Sequence, residues 1–105
     1  MIGYIYDRDN LVGELKFSDG VYSFIYNKAF LDNRDSQSIS LTLPKQQEPF
    51  ISPYLHPFFA NLLAEGNLKK LQCQKLKIDE DDEFVRLLKT ATDDTIGTVT
   101  IREKR

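Results

Sequence analysis

The stretch from Leu11 to Tyr26 leaves this chain little conformational freedom. Leu11, Gly13, Leu15 and Phe17 alternate with Glu14 and Lys16. Ser18-Asp19-Gly20 then interrupts, and Tyr22, Phe24 and Tyr26 alternate with Val21, Ser23 and Ile25. Alternation of period two marks a strand with one buried face. Asp-Gly between two such runs signals a hairpin, because Gly accepts a positive φ without steric cost. Residues 2–6 are rich in Ile and Tyr and are followed by the turn residues Asp7-Arg8-Asp9-Asn10. The spacing therefore predicts a three-stranded antiparallel meander over residues 2–26. A sheet with one apolar face must bury that face against another layer.

The rest of the chain supplies that layer. Asn27 to Asp35 is polar with Phe30 and Leu31 embedded, which predicts a turn or one helical turn tucking those two under the sheet. Ile39, Leu41 and Leu43 alternate with Ser40 and Thr42, predicting a strand that Pro44 ends. Lys45 to Pro57 holds Pro49, Pro53 and Pro57, which predicts an ordered loop. From Pro57 the period becomes helical, with Phe58, Phe59, Leu62 and Leu63 after a proline suited to a first turn. Gly66 in Glu65-Gly66-Asn67 suits a helix C-cap or a tight bend. Leu68, Leu71 and Leu76 carry a second helix among Lys69, Lys70 and Lys75. Phe84, Leu87, Leu88 and Ala91 give a third, amphipathic helix, with the acidic run 79–83 at its positive end. Gly97, Val99 and Ile101 alternate with Thr98, Thr100 and Arg102 as a last strand. The expected class is α+β: an antiparallel sheet, from the N-terminal meander plus later strands, packed with a cluster of about three helices in one domain over residues 1–105.

Composition narrows the function. A chain of 105 residues buries roughly 65% of its unfolded surface, so it needs no disulfide or metal staple. The single cysteine, Cys73, has no internal partner, which fits a reducing cytoplasm. The net charge of −2 and pI near 5.3 argue against phosphate backbones as the main ligand. No apolar run has membrane-helix length, the N-terminus meets acid at once, and Gly3 is not directly after Met1, so span, leader and myristoylation patterns all fail.

Catalytic patterns are missing. The glycines are scattered at 3, 13, 20, 66 and 97, not clustered before a helix as a phosphate loop requires. One histidine and one cysteine cannot make a zinc site. The run 79–83 lacks the glycine and distal glutamate of a calcium loop, so it is a solvated helix start. His56 and Cys73 have no evident catalytic neighbours and are expected to be structural. The Tyr22, Phe24, Tyr26 face lacks the interleaved basic residues of a base-stacking sheet, leaving core or protein interface. Asp93-Asp94 looks like a paired-carboxylate motif, but a loop leading into a strand explains it equally well, and no acid–base role is assigned to it. The residues thus imply no catalytic group, metal or cofactor, and favour a binding module.

Four ordered segments are similar to the N-terminal subdomain of HipA-type serine/threonine kinases. LVGELKFSDGVYSFIY (11–26) resembles its opening hairpin, and ISLTLP (39–44) its Ser-Leu-x-Leu-Pro strand. HPFFANLLAEGNLKKL (56–71) resembles its helix–bend–helix, and DDTIGTVTI (93–101) its Asp-x-x-Gly strand. Ala64 and Asn67 stand where the family often has Pro and Trp. A HipA-type chain continues into a kinase body after the last of these segments, whereas this one ends at Arg105. It resembles in that respect the HipS antitoxins of tripartite HipBST toxin–antitoxin systems. The resemblance implies a HipT-like kinase toxin as partner and a HipB-like DNA-binding repressor in the same complex, with neither nucleic acid nor membrane contacted directly. The alternative is a non-inhibitory structural or activating subunit that completes a split HipA-type kinase; a third reading, an isolated accessory domain touching DNA, is disfavoured by the acidic pI. The bend places Phe58, Phe59, Glu65, Gly66, Asn67, Leu68 and Lys69 as expected partner-binding residues, with one of the two phenylalanines in the core.

Overall fold

Alternation and turn chemistry shape the first half of the chain. The computed structural model describes residues 1–92 and 98–105. In it β1 (Ile2–Asp7), β2 (Asn10–Ser18) and β3 (Val21–Tyr26) form the expected meander. Asp19 and Gly20 take φ of 53° and 75°. Two successive left-handed residues are what a two-residue hairpin turn needs to match the twist of its strands. Helix α1 (Lys28–Asp32) follows, then β4 (Phe50–Ser52), α2 (Pro57–Ala60), α3 (Gly66–Leu76), α4 (Glu83–Thr90) and β5 (Val99–Arg102). All pairings are antiparallel, in the order β4-β3-β2-β1-β5. The class is α+β, as expected, with four helices among the described residues because the 27–35 segment closes its own helical turn. The Asp93-Asp94 pair and Gly97 lie outside the described residues.

One sheet face carries the core. Ile5, Val12, Leu15, Phe24, Phe59, Phe84, Leu87 and Ile101 are fully buried. Helix α4 lies on this face because its apolar residues recur at helical spacing. Its start is capped by the Asp82 carboxylate, which accepts from the Val85 N–H at 3.2 Å. Gly3 lets the helix come close: a Cβ there would sit 3.0 Å from Leu88 Cδ2 and 2.9 Å from Ile101 Cγ2. Phe30 stacks on Tyr26 with ring centroids 5.6 Å apart, so α1 does tuck it under the sheet.

Three details depart from the simple alternation. The β1–β2 register slips between Ile5, which pairs with Gly13, and Tyr6, which pairs with Leu11. Val12 is the extra residue of this bulge. It is buried in the core while Leu11 is only half-buried. Gly13 is obligatory here, since a Cβ would lie 2.2 Å from the Ile25 carbonyl oxygen.

Residues 39–43 are not a strand. The Ser40 hydroxyl accepts from the Thr42 N–H at 3.2 Å, and the Leu43 N–H bonds Ser40 at 3.1 Å, closing a local turn. Tyr26 holds both ends of it: its hydroxyl accepts from the Ile39 N–H at 3.2 Å and donates to the Leu43 carbonyl. Leu41 is left 99% exposed at the tip.

The strand lies instead inside the expected loop, at Phe50–Ser52. Pro49 and Pro53 flank these residues and so remove no hydrogen bond from this short edge ladder.

Leu87→Ala should lower stability by about 2–5 kcal/mol in denaturant unfolding, and an unchanged midpoint would contradict the packing of α4. Burial, and after it the Glu83 and Asp82 carboxylates, holds the Tyr22 phenol above its ordinary range. Burial raises Tyr26 too, against the lowering effect of the Ile39 N–H. A phenol that keeps its proton longer in the folded chain stabilises fully below its unfolded pKa. It loses that contribution as pH rises through the folded one. Stability should therefore fall above about pH 10, and Tyr22→Phe should blunt the fall. A pH–stability curve identical in the two proteins counts against the burial of this phenol.

Candidate partner-binding surface

Between α2 and α3 the chain turns a corner with little regular structure. Pro57 starts α2, the Asn61 N–H makes an α-helical bond to Pro57, and i→i−3 bonds from Leu62 to Phe59 and from Leu63 to Ala60 then unwind the helix. Glu65 is extended, and Gly66 follows at φ +62° in open space, a conformation that side-chain-bearing residues rarely adopt. Glu65, Gly66 and Asn67 are exposed. Phe59 is fully buried against Phe24, centroids 5.3 Å apart. Phe58 is half-buried beside it at 5.3 Å. Phe59 is thus the phenylalanine of the pair that lies in the core, and Phe58 lies nearer the surface.

The corner is held from below. Arg86 on α4 is 5% exposed, and its guanidinium donates to the Ala64 carbonyl at 2.7 Å. A charge-assisted bond of this kind is stronger than a neutral one. Without it the Ala64 oxygen and a buried cation would both lose their partner. The alternation of apolar residues on α4 gives no reason to single out Arg86.

Helix α3 is turned inside out. Cys73 is buried, and Lys69 and Gln72 are half-buried on the same side. The leucines that the sequence assigns to this helix are exposed: Leu68 at 56%, Leu71 at 63% and Leu76 at 47%. Lys69 therefore lies on the body side of α3, while Asn67, Leu68 and Leu71 share its open side. Leu71, which in the sequence only marks a helix, is a surface residue. A groove of about 170 Å³ runs beside Leu68, between Asn61–Ala64, Gln72 and Thr90.

Other candidate groups are structural. His56 is buried and its Nε2 lies 2.9 Å from the Phe50 carbonyl oxygen, tying α2 to the edge strand. Tyr22, Phe24 and Tyr26 are core. Asp79 and Asp82 accept backbone N–H bonds from Asp81 and Val85. Among the described residues no group of three His, Cys, Asp or Glu stands close enough to hold a metal ion. Among them, too, no helix is long and apolar enough to cross a membrane. A larger cleft of about 650 Å³, walled by Asp7, Asn10, Asn27, Asn33 and Asp35, involves none of the bend residues.

A family model, the HipA N-terminal domain, matches residues 4–102. An uncharacterized protein of Haemophilus influenzae is 32% identical over 103 residues, covering 98% of this chain and 92% of that protein. The putative kinase Y4mE of Sinorhizobium fredii is 34% identical over 68 residues, 65% of this chain and 16% of the kinase. The putative kinase Y4dM of the same organism is 33% identical over 92 residues, 79% of this chain and 22% of the kinase. A solved structure described as the N-terminal domain of HipA toxin superimposes with a TM-score of 0.70 at 31% identity, covering 99% of this chain and 94% of its own.

Because Leu68 and Leu71 are exposed, Leu68→Ser and Leu71→Ser should each shift stability by no more than about 0.5 kcal/mol. Arg86→Ala should instead speed hydrogen exchange of the amides around Ala64–Lys69. Unaltered exchange there would show that the clamp does not hold the bend.

Proposed function

This chain belongs to the HipA N-terminal domain family, and from that premise we propose that it is an antitoxin-like protein that binds and restrains a HipT-like serine/threonine kinase. The observation that carries this reading is the open side of α3, where Leu68 and Leu71 are exposed beside a bend clamped by Arg86. Leu68 and Leu71 are neighbours at i and i+3 on the open face, and contiguous exposed apolar patches mark interaction sites. In the two Sinorhizobium kinases the matching segment is a minor part of a longer chain. A domain complementary to a kinase body within one chain can serve the same surface from a separate chain. The Haemophilus relative is itself about this length, which supports a free-standing role.

The proposed contact set is Phe58, Glu65, Gly66, Asn67 and Leu68, widened by Leu71, with Phe59 supporting from the core and Lys69 at the inner rim. Asn67 is small, so no single buried aromatic anchors the bend, and binding draws on a broad surface of about 800 Å² per partner. A HipB-like DNA-binding repressor completes the proposed complex. The chain itself is proposed to be non-catalytic: the family match lies in the N-terminal domain and includes no kinase catalytic domain.

The test is Glu65→Lys with Leu68→Asp, co-expressed with the HipT-like kinase of the same genome. Wild type should rescue growth, and the folded double variant should not. A variant that still binds and protects cells would move the working surface elsewhere. A wild type that binds yet raises kinase activity would favour a completing subunit over an inhibitor. Calorimetry of the chain alone with Mg-ATP should be flat, and saturable micromolar binding would contradict the non-catalytic assignment.

A further inference from the structure

Charge distinguishes α3 as much as its leucines do. Lys69, Lys70, Lys75 and Lys77 fall on or just after the helix, and no Asp or Glu occurs from Gly66 to Ile78. The chain as a whole is nevertheless at −2. With 3.6 residues per turn, Leu68, Leu71 and Lys75 fall in one row at i, i+3 and i+7, so Lys75 closes the apolar line one turn on from Leu71, while Lys70 lies to one side of Leu71. Lys70 and Lys75 are exposed. Among the described residues the ion pair present joins Lys89 to Glu103 at 2.5 Å, and none engages Lys70 or Lys75. The open side of α3 is thus a short apolar line with an uncompensated cation at its C-terminal end and another on one flank, on a protein that is otherwise acidic.

We infer that α3 docks into a partner-protein groove with an apolar floor for Leu68 and Leu71 and carboxylates facing Lys75 at the groove's end and Lys70 on its flank. This rests on the reading of the chain as a kinase-binding protein and specifies the surface it meets. Charge complementarity selects the occupant. A phosphate backbone would meet the lysines but leave two leucines facing it unpaired, and a net acidic domain is poorly suited to nucleic acid. An acidic, apolar-floored protein groove satisfies both features. The end and flank charges steer encounter and set orientation, while the leucines hold the complex once formed.

Binding of purified wild-type chain to the HipT-like kinase of the same genome is measured at about 50 mM and about 500 mM NaCl, beside Lys70→Glu/Lys75→Glu and Leu71→Ser. All three positions are exposed, and circular dichroism confirms folding. The charge variant should bind about tenfold more weakly at low salt, chiefly through slower association, and should approach wild type at high salt. Leu71→Ser should weaken binding at both salts. If wild type binds and the charge variant matches it at both salts, the acidic groove is wrong while the kinase-binding reading stands. If wild type does not bind the kinase, both fall. Saturable binding of wild type to a random-sequence DNA duplex, lost in the charge variant, would overturn the inference in favour of nucleic acid.

Discussion

Helix α4 touches three parts of the molecule at once. Phe84, Leu87 and Leu88 seat it on the sheet, where Gly3 leaves room for Leu88. Just past its last turn the Ala91 carbonyl accepts from the Ile101 N–H at 2.8 Å, fastening β5 along its outer edge. On its other side Arg86 reaches the Ala64 carbonyl across 22 residues of sequence. Sheet, terminal strand and bend are therefore registered against one eight-residue helix. Loss of its packing would free all three, and the Asp82 cap fixes where it begins.

Much of this was legible in the residues. The meander followed from period-two alternation and Asp19-Gly20, and α4 from its apolar spacing and acidic start. What misled was alternation without context. Ile39, Leu41 and Leu43 look like one strand face, yet Ser40 bonds its own neighbours and the Tyr26 hydroxyl captures the turn from 13 and 17 residues away. No local pattern reports so distant a partner. Phe50–Ser52 was hidden for the opposite reason. Its flanking prolines look like strand breakers, but an edge ladder three residues long does not need their N–H groups. At β2 the alternation was real but slipped by one residue at Val12.

The bend was legible and the helix after it was not. Glu65-Gly66-Asn67 announces a change of direction, and Gly66 takes the positive φ that the change requires. For α3 the leucine count suggested a buried face, whereas the helix buries Cys73 and leaves its leucines to solvent. A hint lay in the residues themselves: Leu68, Leu71 and Leu76 spread around the helix and do not share one narrow stripe, unlike Phe84, Leu87 and Leu88. A helix whose polar side faces the body contributes little to folding. Leu68 and Leu71 on its open side are free to meet another surface. In the family's larger members this domain is one segment of a putative kinase, which is why a kinase body is the surface proposed.

Hydrogen–deuterium exchange of the chain, alone and with the proposed HipT-like kinase partner, tests the proposed role of α3 most directly. Protection should be confined to residues 58–76 and strongest around Asn67–Leu71, with the sheet amides unchanged. Protection on the helix-free sheet face or along β4, with α3 exchanging as in the free chain, would contradict that role.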